Sequence, residues 1–116
     1  MTPGIFNYGN QYRNDTVDSV TFTVRITGTT TVVDLSDVTA VRAQFRKPFN
    51  QAIQADYSIG SGITMTDLVG GRVTIDSFMG DWDPGTYSYD VEFIYDTGRV
   101  KTYIKGTLNI VDDRTK

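Results

Sequence analysis

The sequence predicts an all-β sandwich built from seven to eight short strands. Most of the chain consists of short segments in which apolar and polar residues alternate, the pattern of a strand with one buried face. Turn signals separate these segments at intervals of about 8–12 residues, a spacing typical of a sandwich. No stretch of about eleven or more residues has the 3.6-residue periodicity of a helix. A small closed barrel is the alternative architecture.

The clearest predicted element is a hairpin formed by residues 86–95 and 99–111. In its first strand the residues on one face are apolar or aromatic: Tyr87, Tyr89, Val91 and Phe93. Its second strand alternates in the same way, and the solvent face is expected to have Lys101, Tyr103, Lys105 and Asn109. Asp83-Pro84-Gly85 predicts a turn before the hairpin, since Pro presets φ and Gly accepts positive φ. Asp96-Thr97-Gly98 is typical of a short hairpin loop.

The solvent faces of the two hairpin strands have opposite charges. Asp90 and Glu92 belong to the first strand, and Lys101 and Lys105 belong to the second. Opposed charges across an antiparallel pair are expected to stabilise it by about 0.2–1 kcal/mol each. Gly106 interrupts the second strand and predicts either a β-bulge or the close approach of another backbone segment.

Six further strands are predicted before the hairpin. They cover residues 15–27, 31–35, 39–46, 52–57, 63–66 and 72–76. Residues 77–82 are expected to form one helical turn before the Pro-Gly turn. The side chains that alternation places inside define the expected core: Phe22, Val24, Val41, Phe45, Val73, Ile75, Tyr89, Val91, Phe93, Ile104 and Leu108.

Residues 1–14 form an N-terminal arm in front of a sandwich domain that spans residues 15–113. Proline, glycine and asparagine in the arm favour irregular backbone, and no strand is predicted there. The arm also has four large apolar side chains, Ile5, Phe6, Tyr8 and Tyr12, which would be an aggregation liability in water. We therefore expect the arm to pack either on its own domain or on a neighbouring subunit, and these four are candidate partner-binding residues.

Composition excludes several classes of function. The chain has no histidine and no cysteine, which excludes Ser–His and Cys–His catalysis, thiolate metal sites and disulfides within it. Its net charge is −3 and both signs are scattered, so no nucleic-acid binding is expected. No apolar run approaches the roughly 20 residues of a membrane span, and no secretory signal is recognisable. We expect no enzymatic activity, no cofactor and no metal.

The remaining candidate residues are an acidic pair and two aromatic rings. Asp81 and Asp83 flank Trp82, an arrangement that a glycoside hydrolase could use, but Asp before Pro-Gly is typical turn chemistry and is interpreted as such. Trp82, in this loop, and Tyr103, on a solvent face, are the candidates for exposed aromatic partner contacts, and buried or half-buried packing is the favoured interpretation of both rings. A carbohydrate-binding module that stacks sugars on these two rings is the alternative function.

Five motifs follow one another in an informative order along residues 14–113. They are NDT at 14–16, VDLSDV at 33–38, GRVTI at 71–75, PGTYSYDVE at 84–92 and GTLNIV at 106–111. In this order they resemble the small β-sandwich domain at the N-terminus of phage baseplate upper proteins and of related tail-fibre or virion attachment proteins.

The resemblance implies an immunoglobulin-like antiparallel sandwich that anchors one virion component to another without catalysis. It implies a protein of the phage particle, assembled in the host cytoplasm, with other virion proteins as partners and a homo-oligomer in the particle. The longer relatives continue past the sandwich, whereas this chain stops at Lys116. A capsid cement or decoration protein is therefore as consistent as a tail or baseplate adaptor. The resemblance also favours a neighbouring subunit as the surface on which the arm docks.

Overall fold

The computed structural model describes residues 4–26, 29 and 31–112. Residues 1–3 of the predicted arm, residue 27 of the first predicted strand and residue 113 of the predicted domain lie outside this set. The described residues form eleven β-strands and no helix, so the all-β prediction is confirmed. The strands are β1 Gly4–Ile5, β2 Asn10–Tyr12, β3 Thr16–Val17, β4 Val20–Thr23, β5 Val38–Arg46, β6 Ile53–Ile59, β7 Gly62–Asp67, β8 Arg72–Ile75, β9 Phe78–Met79, β10 Gly85–Tyr95 and β11 Val100–Val111.

Three long strands form the centre of the main sheet. β10 pairs with β11 in the antiparallel hairpin that alternation predicts, and β5 pairs with the other edge of β10. The full order is β1-β11-β10-β5-β6-β7-β8-β4, with β2 also on β11, while β3 and β9 form a separate two-stranded sheet. Asp90 lies opposite Lys105 as expected. A bulge after Val91 places Glu92 opposite Thr102 rather than opposite a lysine.

The main sheet is mixed, so the prediction of a purely antiparallel arrangement is wrong. β1 and β2 run parallel to β11, and β6 runs parallel to β7 over two residue pairs. The β6–β7 connection is short, and the positive φ angles of Gly60 and Gly62, 82° and 99°, allow it. The sheet is curled, and it continues on both sides of this connection, since β6 pairs with β5 between Arg42 and Arg46 and β7 pairs on its other side with β8.

One core lies inside the curled sheet and contains ten of the eleven residues expected there. Phe22 is the exception, because it is only half-buried on the edge strand β4. The ten are Val24, Val41, Phe45, Val73, Ile75, Tyr89, Val91, Phe93, Ile104 and Leu108. Alternation therefore assigned these side chains to the correct face, since a register shift of one residue would have moved each of them to the other face.

Several local expectations are wrong. The strand predicted over residues 15–27 is divided into β3 and β4, and the strand predicted over 31–35 is a single bridge between Arg25 and Val32. Residues 77–82 contain strand β9, which pairs with β3, in place of the expected helical turn. The arm that was expected to be irregular contains β1 and β2. Those strands have two and three residues, which is too short for alternation to reveal them.

Candidate partner-binding surface

The N-terminal arm lies on the outer edge of β11 and extends the main sheet there. Residues 4–12 run parallel to β11, from a pair with Ile104 to a pair with Val111. The N–H groups of Phe6 and Tyr8 donate to carbonyl oxygens of β11, at 2.9 Å in both cases. An edge strand presents unpaired N–H and C=O groups, and the arm pairs with those of β11. The arm therefore occupies an edge that would otherwise be open to another chain.

Two asparagine side chains fix the register of the arm. Asn7 Oδ1 accepts hydrogen bonds from the backbone N–H and the hydroxyl of Thr107, at 3.0 and 3.1 Å. Asn10 Oδ1 accepts a hydrogen bond from Asn109 Nδ2 at 2.8 Å. Sequence reasoning missed both asparagines, because asparagine in a segment without alternation signals only irregular backbone.

Gly106 lets the backbone of the arm approach β11 closely. A Cβ atom at this position would overlap the carbonyl oxygen of Phe6 and would lie 2.7 Å from its carbonyl carbon. The same carbonyl oxygen accepts a hydrogen bond from the Tyr89 hydroxyl at 2.7 Å. The expectation of a close backbone approach at this glycine is confirmed, and the approaching segment is the arm.

The rings of Phe6 and Tyr8 join an aromatic cluster in the core. Tyr8 lies edge-on to Tyr89 with 5.5 Å between ring centroids, and 6.0 Å from Phe45. Phe6 lies edge-on to Phe22 at 5.5 Å. Such aromatic pairs contribute about 0.5–1.5 kcal/mol each beyond the area that they bury. The arm is therefore held by two rings as well as by its backbone.

The Tyr8 hydroxyl is buried and has no hydrogen-bond partner among the described residues. Burial raises the pKa of this phenol far above its usual value, and it raises the pKa of the neighbouring Tyr89 phenol as well. Both side chains therefore stay neutral at a pH where an exposed tyrosine would ionise. A buried hydroxyl without a partner costs about 1–3 kcal/mol, so the fit of the arm is imperfect at this atom.

Two arm side chains remain largely outside the cluster. Ile5 is 69% exposed and Tyr12 is 55% exposed. Ile5 borders an open groove of about 560 Å³, which Arg46, Asp90 and Lys105 also line. The groove combines an apolar rim with acidic and basic side chains. Its openness and its charged side chains of both signs are compatible with the rim of a protein–protein contact.

The arm packs on its own chain in this structure, whereas the family resemblance favours a neighbouring subunit. Among the four arm residues predicted to bind a partner, Tyr8 is half-buried and Phe6 is 36% exposed. Ile5 and Tyr12 offer the larger accessible surfaces. The role of all four residues in partner binding stays a prediction.

Trp82 and Tyr103 are buried, so the favoured interpretation of packing is confirmed and their candidacy as exposed partner contacts is wrong. Trp82 is 7% exposed and stacks on Phe78 with 5.3 Å between ring centroids. Tyr103 is 8% exposed, and its hydroxyl forms a hydrogen bond with the Tyr95 hydroxyl at 2.7 Å. The bulge in the β10–β11 pairing turns both Tyr103 and Ile104 towards the interior, which strict alternation could not show. Neither ring is available as an exposed stacking platform.

The arm joins the domain through a tight turn. The N–H of Asp15 donates to the carbonyl oxygen of Tyr12 at 3.1 Å, and Asn14 between them has a positive φ of 72°. Among residues with a Cβ atom, asparagine and aspartate enter this region most readily. Arg13 forms an ion pair with Asp83 at 3.1 Å. Asp83, one of the two carboxylates beside Trp82, is thus engaged in holding this turn.

No family model, curated protein or solved structure matches the chain. Within the described residues, no three His, Cys, Asp or Glu side chains are grouped as metal ligands would be. The same part of the chain contains no helix that is long and apolar enough to cross a membrane. The candidate surface therefore rests on the geometry of the arm and of the β11 edge.

Proposed function

We propose that this chain is a non-enzymatic structural protein of a phage particle that acts through protein–protein contacts. It is a tail or baseplate adaptor, or a capsid cement or decoration protein, and its partners are other virion proteins and further copies of itself. Its location is the virion, which is assembled in the host cytoplasm. Its fold is an immunoglobulin-like sandwich in which the curled sheet supplies both layers.

The arm is the observation that carries this proposal. Residues 4–12 add to a sheet edge through backbone hydrogen bonds and two aromatic rings, which is how extended peptides bind to exposed sheet edges. The same arm leaves Ile5 exposed beside the groove near Lys105, and it leaves Tyr12 exposed at its end. An extended segment with an accessible apolar rim is suited to the attachment of one protein to another.

The sequence supports the proposal in two ways. The five motifs along residues 14–113 keep the order that resembles the virion attachment family. The chain also has neither histidine nor cysteine, the side chains most often used as a general base or as a thiol nucleophile.

Mass spectrometry of purified virions tests the proposal. We expect the chain in the particles at a fixed copy ratio to the major capsid protein, because a structural component occupies defined positions in a symmetric assembly. Infected-cell lysate is the control that shows whether the chain is produced. Particles that lack the chain, although the lysate contains it, would refute the proposal.

The alternative function, a carbohydrate-binding module, loses its two stacking platforms because Trp82 and Tyr103 are buried. The described ring with the greatest exposure is Phe49, which is 96% exposed in the turn after β5. A glycan array with the purified protein distinguishes the two functions. A glycan that binds the native chain but not the Phe49→Ala variant, with the melting temperature unchanged, would favour the alternative.

A further inference from the structure

We propose that the N-terminal arm exchanges between two copies of this chain, so that the β11 edge of each copy receives residues 4–12 of the other. The partner is a second copy. The interface is the arm seat, which we define as β11 from Ile104 to Val111 together with Tyr89. This inference deepens the proposed function by naming one partner. It rests on the proposed function only for the place of the exchange, which is the phage particle.

The contacts that hold the arm do not depend on its covalent connection to the domain. The Phe6 carbonyl group meets Gly106 and Tyr89, and the Asn7 side chain bonds to Thr107. Every one of these contacts lies between the arm and the arm seat. An arm from a second copy can reproduce each of them, so exchange keeps these contacts; its cost is the entropy of association together with the hydrogen bond between Asp15 and Tyr12 that closes the turn.

The turn that folds the arm back is short and strained. Tyr12 is the last arm residue in register with β11, and the Arg13 N–H still donates to the Val111 carbonyl oxygen at 2.8 Å, so Asn14 alone lies between this contact and Asp15. Asn14 has a φ of 72°, which is unfavourable for a residue with a Cβ atom. Gly80 fixes the domain side of the turn, since it exchanges hydrogen bonds with Asn14 and Asp15 at 2.9 Å. A short hinge under strain favours exchange, because opening it releases the strain.

When the arm lies on its own chain, as in this structure, part of its surface stays open to a second copy. β1 is the outermost strand of the main sheet, so the backbone groups on its free side are unpaired within the sheet. Tyr12 adjoins the hinge and is 55% exposed. In an exchanged pair the two opened hinges cross between the copies, which brings the two Tyr12 side chains to the new contact.

Two full-length chains with one cysteine each test the exchange. Ile5 and Lys105 are neighbours in the β1–β11 pairing, and both are exposed. An equimolar mixture of the Ile5→Cys chain and a tagged Lys105→Cys chain is oxidised mildly at a series of protein concentrations. A non-reducing denaturing gel then separates the mixed disulfide by its mass. The native chain has no cysteine, so every mixed disulfide joins these two positions, and the yield above that of random collision reports an arm that lies on β11 of the other chain.

The matched control is a mixture of the Asp90→Cys chain with the same tagged Lys105→Cys chain. Asp90 lies beside Lys105 on the other side of β11, within the β10–β11 hairpin. This hairpin stays within one chain in an exchanged pair. Exchange therefore predicts that the Ile5 mixture gives several-fold more mixed disulfide than the control, and that the excess increases with protein concentration.

The hinge variant Asn14→Gly provides a second readout. Glycine adopts positive φ without strain, so we expect this variant to fold with a relaxed hinge and to form several-fold less mixed disulfide in the Ile5 mixture. An equal or larger yield would contradict the role of strain in the exchange.

The double variant Ile5→Cys/Lys105→Cys, kept dilute, shows whether the arm lies on its own chain. The exchange would be overturned by two results together. The Ile5 mixture would give no more mixed disulfide than the control at any concentration, and the double variant would form its cross-link within one chain. No cross-link in either experiment would overturn the arm seat itself. The virion measurement is independent of both results, because a chain that is present in particles without exchanging its arm refutes the further inference alone.

Discussion

Replacing Gly106 with alanine should loosen the arm and displace the Tyr89 ring on the neighbouring strand of the hairpin. The new Cβ atom would overlap the Phe6 carbonyl oxygen and would lie 2.9 Å from Cε1 of the Tyr89 ring. Gly106 is not among the residues with positive φ, so alanine adds no backbone strain of its own. The perturbation is therefore a steric conflict between β11 and the arm.

The structure offers two ways to relieve this conflict, and the less costly one sets the effect. If the arm stays in place, overpacking costs about 1–3 kcal/mol. If the arm leaves, the hydrogen bonds of Phe6 and Tyr8 with β11 and Tyr89 are lost at about 0.5–1.5 kcal/mol each. The released residues then regain about 1–2 kcal/mol of backbone entropy each. We expect the free energy of unfolding to decrease by about 1–3 kcal/mol, with increased mobility of the arm.

Urea denaturation measures the stability, and amide hydrogen exchange at Phe6 and Tyr8 measures the attachment of the arm. Gly4→Ala is the matched control, because a Cβ atom there meets only the Tyr103 carbonyl oxygen, at an ordinary contact distance of 3.6 Å. The control should retain native stability and native protection of the arm amides. If Gly106→Ala behaves like the control in both measurements, the arm does not lie where the structure places it.

Three further predictions concern the aromatic side chains. Phe45→Ala should lower the free energy of unfolding by about 3–5 kcal/mol, because the ring is fully buried, stacks on Tyr89 and contacts four further rings; a loss below about 1 kcal/mol in urea titration would contradict its central position. Tyr8→Phe should leave stability unchanged or raise it by up to about 1–3 kcal/mol, since it removes a buried hydroxyl that has no partner among the described residues; a clear decrease would show that this hydroxyl is satisfied. Burial and the hydrogen bond with Tyr103 raise the pKa of Tyr95 from 10.0 to about 12, so its contribution to stability is complete below pH 10 and is lost as the pH rises through about 12. Tyrosinate absorbance and unfolding curves across this range measure the effect, and ionisation of every tyrosine together near pH 10 in the folded protein would refute it.

Much of the fold followed from the sequence because period-two alternation is a local property. The β10–β11 hairpin, the β5 strand and ten of the eleven expected core residues lie where alternation and turn residues predict them. Gly106 predicted either a bulge or a close backbone approach, because a glycine within a strand pattern loses side-chain packing and marks one of these two features. These features require only the residue types and their spacing.

Other features were missed because they depend on partners far away in the chain. β1 and β2 form only because the edge of β11, about 100 residues later, supplies their hydrogen bonds. The bulge that buries Tyr103 depends on how β10 and β11 align. Trp82 is buried because Phe78 and Phe45 pack against it, although it lies in a loop segment.

The sequence by itself determined the all-β class, the phase of the central strands and the need of the arm's apolar side chains for a surface. It left open which surface that is. The tertiary structure decided that the arm pairs with β11 and that Phe6 and Tyr8 enter the aromatic cluster. The reason is physical: side-chain alternation specifies which face of a strand is buried, whereas an open sheet edge offers the same backbone groups to any extended segment that can reach it.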